Sequence, residues 1–252
     1  MSNLIQWPRA TYWTAAWNPV IGCRECSPAC ANCYARAWAE RFGQSFAPHQ
    51  SSQKRPTRKG VVFCGNMTDL FGEWLSCQRS QDFVRQAALA SRHEEGMYLF
   101  LTKRSDALCD ALCARDDEGA SVVRSGLCDL DMSRLYFGFT AENQECFNKR
   151  VAEAAEMPVA LNQWLSAEPL LGPIDMGDMV EMFEWVVVGC ESGPKRRPCK
   201  LEWVESIVEQ CQAACVPVFV KQLDIKGKCE TDIYNFPEHL QIRQVPWKGH
   251  MP

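Results

Sequence analysis

The sequence predicts an α/β fold, a partial (β/α) barrel in which mostly parallel strands are covered by outer helices. Three observations support this fold class. Short apolar runs typical of strands alternate with helical patterns, and several runs are continuously apolar, as in strands buried on both faces. In addition, no GxGxxG motif follows the first run, which favours a barrel over a dinucleotide-binding Rossmann sheet.

Seven runs rich in β-branched and aromatic residues are predicted to be strands. In chain order they are Thr11–Trp17, Val61–Cys64, Met97–Leu101, Leu135–Phe139, Ala160–Leu165, Trp185–Val188 and Pro217–Val220. Because helical patterns separate them, consecutive runs are expected to form parallel βαβ units.

Four connecting segments show helical periodicity. They are Ala31–Phe42, a segment capped by Ser105 that continues to Cys113, a segment capped by Asn143 that runs through Glu156, and Leu201–Cys215. In the first of them, Tyr34, Trp38 and Phe42 share one face.

Length and composition indicate one folded globular domain. The 252 residues match the size of an α/β barrel, so we expect a single domain over residues 1–252, with 223–252 as an irregular C-terminal extension. The net charge of 27 − 31 = −4 argues against a general polyanion-coating protein. With no bilayer-length apolar run and no signal peptide, we expect a cytoplasmic protein without a membrane partner.

The fifteen cysteines are unusual for such a protein. Their odd number and the lack of an export signal predict reduced thiols, and most of the scattered ones lie in apolar settings typical of a core. Cys23, Cys26, Cys30 and Cys33, however, fall within eleven residues. No second CxxC and no HxxxH accompanies them, so the spacing favours an iron–sulfur cluster over zinc. A zinc knuckle or unligated thiols are the alternatives.

Polar residues follow six successive predicted strands. They are Asn66, Thr68 and Asp69; Thr102, Lys103 and Arg104; Thr140, Glu142 and Asn143; Ser166 and Glu168; Glu191, Ser192 and Gly193; Lys221 and Gln222. Singly, each can be a helix cap, a turn residue or a solvated charge. Together they predict a polar pocket, because barrels gather their chemistry at the carboxyl ends of the strands.

Several longer strings resemble the phage-associated radical-SAM-like family, whose bacterial relatives accompany three-Cys-motif partner proteins. These are WNPVIGC and SPACANCYA, then NMTDLF, LTKR, FGFTAEN, LSAEPLLGPID, VVVGCESGP and VFVKQ, in order from Trp17 to Gln222. The resemblance implies a barrel of the radical SAM type with a [4Fe–4S] cluster on three cysteines and S-adenosylmethionine (SAM) on the open iron. It also implies a reductant such as flavodoxin or ferredoxin, and a 5′-deoxyadenosyl radical that abstracts hydrogen from a substrate.

Carried onto this chain, the resemblance places the cluster on Cys23, Cys30 and Cys33. Spacing alone favours Cys26, Cys30 and Cys33, which form the CxxxCxxC run of most radical SAM enzymes. Candidate SAM-binding residues are Asn66, Asp69, Ser166, Glu168 and Ser192, since carboxylates, amides and hydroxyls supply the required hydrogen bonds. Candidate catalytic residues are Lys103, Glu191 and Lys221.

The phage setting of the family suggests that the substrate is either a base of phage DNA (a hypermodified thymine) or a nucleotide, which the enzyme modifies or rearranges. Two basic runs are compatible with a phosphate backbone: Lys54, Arg55, Arg58 and Lys59, and Lys195, Arg196, Arg197 and Lys200. Both runs can equally be solvated loops. The rival class of function is a non-catalytic iron–sulfur or zinc protein that binds nucleic acid or a protein partner.

Overall fold

An eight-stranded sheet forms the centre of the fold, and its seven parallel strands follow one another in chain order. They are β1 (Ala15–Trp17), β2 (Gly60–Cys64), β3 (Gly96–Thr102), β4 (Leu135–Thr140), β5 (Asn162–Ala167), β6 (Trp185–Gly189) and β7 (Val218–Ile225), and β8 (Lys228–Glu230) pairs antiparallel with β7. The structure is a computed structural model that describes residues 5–55, 60–94, 96–115 and 119–247. The predicted α/β class and partial (β/α) barrel are confirmed, with β1 and β8 at the open edges.

The main differences from the predicted strands lie at the two ends of the sheet. β1 begins at Ala15, not Thr11, because the preceding Tyr12 is turned into the barrel interior. β7 continues past Val220 to Ile225, where it turns into β8. The tail is therefore more regular than predicted: after β8 come the 3₁₀ turns Ile233–Asn235 and Glu238–Leu240, and then Gln244–Val245, which pairs with Ile5–Gln6.

The described part of the chain contains five α-helices. They are α1 (Tyr34–Arg41), α2 (Cys77–Glu94), α3 (Ser105–Leu112), α4 (Gln144–Ala154) and α5 (Leu201–Ala213), with 3₁₀ helices at Pro28–Asn32 and Gly177–Met182. Short two-stranded ribbons pair Val20–Ile21 with His49–Gln50 and Cys113–Arg115 with Ser121–Val123. No helix in the described part of the chain is long and apolar enough to cross a membrane.

The two predicted helix caps have different outcomes. The Asn143 side chain accepts a hydrogen bond from the Cys146 N–H at 2.9 Å, so the predicted cap of α4 is confirmed. Ser105 is wrong as a cap: it is already the first helical residue, and its hydroxyl donates to Glu153 on α4.

Helix α2 was not among the predicted helices, although it has 18 residues. Its buried face mixes Phe83 and Val84 with small and polar residues such as Ser80, Gln81 and Ser91. An apolar stripe interrupted in this way gives little periodic signal.

The buried side chains form two layers, one on each face of the sheet. The outer layer lies between the sheet and the helices. The inner layer is strongly aromatic and includes Trp7, Tyr12, Trp164, Trp185 and Trp247. Because these rings fill the barrel below the carboxyl ends of the strands, they form the base above which the cavity opens.

Candidate functional site

One cavity of about 420 Å³ opens at the carboxyl ends of the parallel strands. All eleven residues predicted to form the site line it: Cys23, Cys30, Cys33, Asn66, Asp69, Lys103, Ser166, Glu168, Glu191, Ser192 and Lys221. Thr68, Thr102, Arg104, Thr140 and Gln222 also belong to the wall. The topology thus brings residues more than 190 positions apart into one pocket, because parallel strands end at the same edge.

Three residues of the predicted pocket lining lie elsewhere. The Glu142 side chain is fully buried beneath the cysteine loop and pairs with Arg150. Asn143 caps α4, and the exposed Gly193 lies in the turn beyond Ser192. The structural roles weighed at the outset are correct for Asn143 and Gly193, whereas Glu142 is a buried, ion-paired carboxylate and not a solvated charge.

The cysteine loop follows β1 and passes over the cavity. Its entry requires Gly22, which has φ +93° and packs so closely that a Cβ atom would lie 2.5 Å from the Ala47 oxygen. The Cys23 N–H donates to the Phe46 carbonyl at 3.2 Å. Cys30 and Cys33 lie at the 3₁₀ helix Pro28–Asn32, so backbone bonds fix all three candidate ligands.

The four thiols of this loop differ in exposure and acidity. Cys23, Cys30 and Cys33 are half-buried, whereas Cys26 is exposed. A hydrogen bond from the Cys26 thiol, aided by Lys103 and Ser27, lowers the pKa of Cys30 to about 4 despite its burial. Burial and the Asp69 charge raise the pKa of Cys23 to about 11.

The loop's donor set consists of thiols, the ligands that iron–sulfur clusters take. Within the described residues, no three His, Cys, Asp or Glu side chains converge as the ligands of one metal ion must. A cluster is larger than an ion and takes thiolates that surround a space. All four thiols of the loop border such a space, since Cys26 lines the cavity as Cys23, Cys30 and Cys33 do.

Three carboxylate–arginine clamps connect this loop to the strand ends. The first joins Asp69 to Arg104, with Oδ2 and Nη1 3.1 Å apart. The Arg104 guanidinium also donates to the Arg24 carbonyl between the first two cysteines. The Asp69 carboxylate accepts further bonds from the Thr102 hydroxyl and two backbone N–H groups, so protein donors surround both of its oxygens.

The second clamp is the most buried. Glu142 after β4 and Arg150 on α4 are 0% and 4% exposed, and their Oε2 and Nη1 atoms lie 2.6 Å apart. The other Glu142 oxygen accepts a bond from the Ala29 N–H at 3.4 Å, within the cysteine loop. Burial raises the pKa of the Glu142 carboxyl, but the Arg150 charge and hydrogen bonds from Ser27 and Arg150 outweigh it, so the net pKa is lowered.

The third clamp joins Glu191, after β6, to Arg197. Arg197 Nη1 donates to the Pro28 carbonyl at 2.9 Å, and Asn32 Nδ2 donates to Glu191 Oε2 at 2.9 Å. Burial raises the pKa of Glu191, but the hydrogen bonds from Arg197 and Asn32 have the larger combined effect, so the net pKa is lowered. The cysteine loop is therefore held from three strand ends.

We expect the stabilising effect of Glu142 to depend on pH. Because its folded-state pKa is below the unfolded value of about 4.3, its contribution is present above that pH and is lost as the pH falls through the folded pKa. Urea unfolding should show Glu142→Gln less stable than the parent near neutral pH, with the difference shrinking in acid. A pH-independent difference would contradict this assignment.

One ion pair in the cavity does not bind the loop. Lys221 Nζ lies 2.9 Å from Glu168 Oε1, and the Ser166 hydroxyl donates to the other Glu168 oxygen at 3.4 Å. The ammonium is 5.7 Å from the ring centroids of Tyr12 and Trp13. Since the clamps occupy Asp69, Arg104 and Glu191, this pair and Lys103 are the charged lining residues outside the clamps.

Comparison with known proteins gives a family but no activity. A family model described as "Protein of unknown function (DUF5131)" matches residues 5–233. The chain belongs to the DUF5131 family. No curated protein and no solved structure matches it. A function for this DUF5131 member has to be argued from the cavity.

The two basic runs of this DUF5131 member are only partly available to a ligand. Arg58 and Lys59 lie outside the described residues, and Arg55 donates to the Tyr98 hydroxyl. In the second run, Arg197 belongs to the third clamp, whereas Lys195 and Lys200 are exposed.

The predictions for this DUF5131 member missed the apolar part of the cavity wall. Tyr12, Trp13, Phe63 and Leu101 line it from the base, and Tyr34 lines it from α1. Their signal in the sequence was indistinguishable from that of a strand or helix core, because an aromatic residue on a strand is usually buried.

Proposed function

We propose that this protein is a radical SAM enzyme that modifies or rearranges either a base of phage DNA (a hypermodified thymine) or a nucleotide. The observation that carries the proposal is the placement of Cys23, Cys30 and Cys33 in one cavity with the polar strand ends. These cysteines would hold a [4Fe–4S] cluster with one iron left for SAM. When the cluster and SAM are both bound and a flavodoxin- or ferredoxin-type donor gives one electron, they supply methionine and a 5′-deoxyadenosyl radical for hydrogen abstraction.

The protein's own residues divide into binding and positioning groups. Ser166, Glu168, Asn66 and Ser192 offer hydrogen bonds to the amino, carboxylate and ribose groups of SAM. Asp69, a further candidate, contributes mainly by holding the cavity wall, because protein donors surround its carboxylate.

The three candidate catalytic residues also divide into a group that can bind a ligand and a group that positions the loop. Lys221 and Lys103 line the cavity with ammonium groups suited to a ligand carboxylate, a substrate anion or a proton transfer. Glu191 binds Arg197 and Asn32 with its carboxylate, so we assign it to positioning of the cysteine loop.

The size and walls of the cavity agree with a cofactor and an organic substrate. Its volume of about 420 Å³ lies within the roughly 300–1,000 Å³ typical of ligand pockets. Aromatic rings at the base and charged groups at the strand ends suit a molecule with a flat ring and a polar tail.

The test is anaerobic reconstitution followed by metal analysis and turnover. We expect about four irons per chain and dithionite-dependent formation of 5′-deoxyadenosine from SAM. Cys128→Ala removes an exposed cysteine outside the loop, so it is the matched control for alanine substitutions of the loop cysteines and should retain both iron and product. One zinc and no iron after anaerobic expression would refute the proposal. Iron without 5′-deoxyadenosine would instead favour a non-catalytic iron–sulfur protein that binds nucleic acid or a partner.

A further inference from the structure

Helix α1 directs its large aromatic side chains to solvent. Tyr34, Trp38 and Phe42 follow one another at four-residue spacing and are 56%, 47% and 57% exposed, while Ala35 and Ala39 form the buried face. They are three of the seven large hydrophobic side chains exposed in the described part of the chain, so such exposure is concentrated here. We call these three residues the aromatic stripe.

The aromatic stripe starts at the cavity. Tyr34 follows Cys33 directly, lines the cavity wall, and donates its hydroxyl to the Asn66 carbonyl. From there the stripe extends along the helix for roughly 12 Å, at about 1.5 Å per residue. The Trp38 and Phe42 rings at its outer end are 4.8 Å apart. A molecule lying on the stripe would therefore lead into the cavity.

Cationic groups flank the stripe. The Arg41 guanidinium lies 5.9 Å from the Phe42 ring centroid. At the cavity end, the Asn32 side-chain amide donates a hydrogen bond to the Lys195 carbonyl. This bond places the exposed Lys195, part of the second basic run, next to the start of α1. Glu40 on α1, Glu25, which pairs with Arg36, and Glu191, which binds Asn32, are carboxylates near the stripe.

We infer that the aromatic stripe binds an unpaired nucleic-acid strand whose bases stack on its rings. This inference rests on the proposed function and specifies its substrate as a polynucleotide whose reacting base enters the cavity beside Tyr34. Exposed rings with cations beside them are the usual construction of sites for single strands, because every base offers a stacking face and every phosphate a charge.

Fluorescence anisotropy with a labelled mixed-sequence DNA oligonucleotide tests the inference. The parent should bind the single strand more tightly than the same oligonucleotide in a duplex, with an affinity that falls as salt rises. Trp38→Ala and Phe42→Ala should each raise the Kd about 5- to 100-fold, and Trp38→Phe should restore most of the loss. Tyr234→Ala removes an 83% exposed aromatic ring outside the stripe and is the matched control.

Four results would overturn the inference. Three of them concern binding: no DNA binding by the parent at low salt, equal loss in Tyr234→Ala, and parent-like affinity in both stripe variants. A concentration-dependent dimer that the stripe variants abolish would also overturn it, since the stripe would then face a second copy. Circular dichroism of each variant separates loss of binding from loss of fold. Failure of the proposed function is distinguishable, because it appears as absence of 5′-deoxyadenosine from the parent without DNA.

Discussion

Alanine at Cys23, Cys30 or Cys33 is expected to reduce iron content from about four to below about one per chain and to abolish 5′-deoxyadenosine formation. Each of these thiols is half-buried in the cavity wall, and removing one ligand leaves the cluster open to loss. The same substitution at Cys26, which is exposed, should leave iron and product close to the parent.

The choice between Cys23 and Cys26 depends on the backbone. Gly22 turns the chain at φ +93°, and the Cys23 N–H is fixed by the Phe46 carbonyl, so the Cys23 side chain is placed before any ligand binds. Cys26 hydrogen-bonds to Cys30 and is a neighbour of the ligands. Retention in Cys23→Ala with loss in Cys26→Ala would show that the CxxxCxxC spacing determines the ligands instead.

The sequence was sufficient for the existence and order of the seven parallel strands and for most of the polar side of the cavity. A strand such as Trp185–Gly189, buried on both faces, is continuously apolar, and the residues that follow it are polar because they border the cavity. Both signals are local, and strand order in a parallel barrel follows from connection lengths. The grouping of the eleven site residues around one cavity could therefore be predicted without coordinates.

The clamps and the aromatic stripe could not be predicted, for two physical reasons. Asp69 and Arg104 are 35 residues apart, and nothing local shows that either is buried with the other. The stripe has helical periodicity, which predicts an inward face, yet α1 buries only Ala35 and Ala39. Which face of an amphipathic helix is buried depends on the space between the helix and the rest of the fold, and the sequence of the helix does not specify that space.

The second large effect is expected at the Glu142–Arg150 clamp. Arg150→Met removes the charge that compensates a fully buried carboxylate, so the free energy of unfolding should fall by about 3–5 kcal/mol. Lys149→Met on the same helix removes an exposed cation and should change stability by less than about 0.5 kcal/mol. Urea unfolding of the iron-free protein under reducing conditions measures both.

The double variant Glu142→Gln/Arg150→Met separates the pair from general damage to α4. If the cost of Arg150→Met comes from an uncompensated charge, neutralising Glu142 as well should recover part of the lost stability. If the cost comes from poor packing of the methionine, the double variant should be no more stable than Arg150→Met. Because Glu142 also accepts a bond from the Ala29 N–H, Arg150→Met should in addition reduce iron occupancy, whereas Lys149→Met should not. Stability of Arg150→Met equal to that of Lys149→Met would show that the clamp does not support the loop.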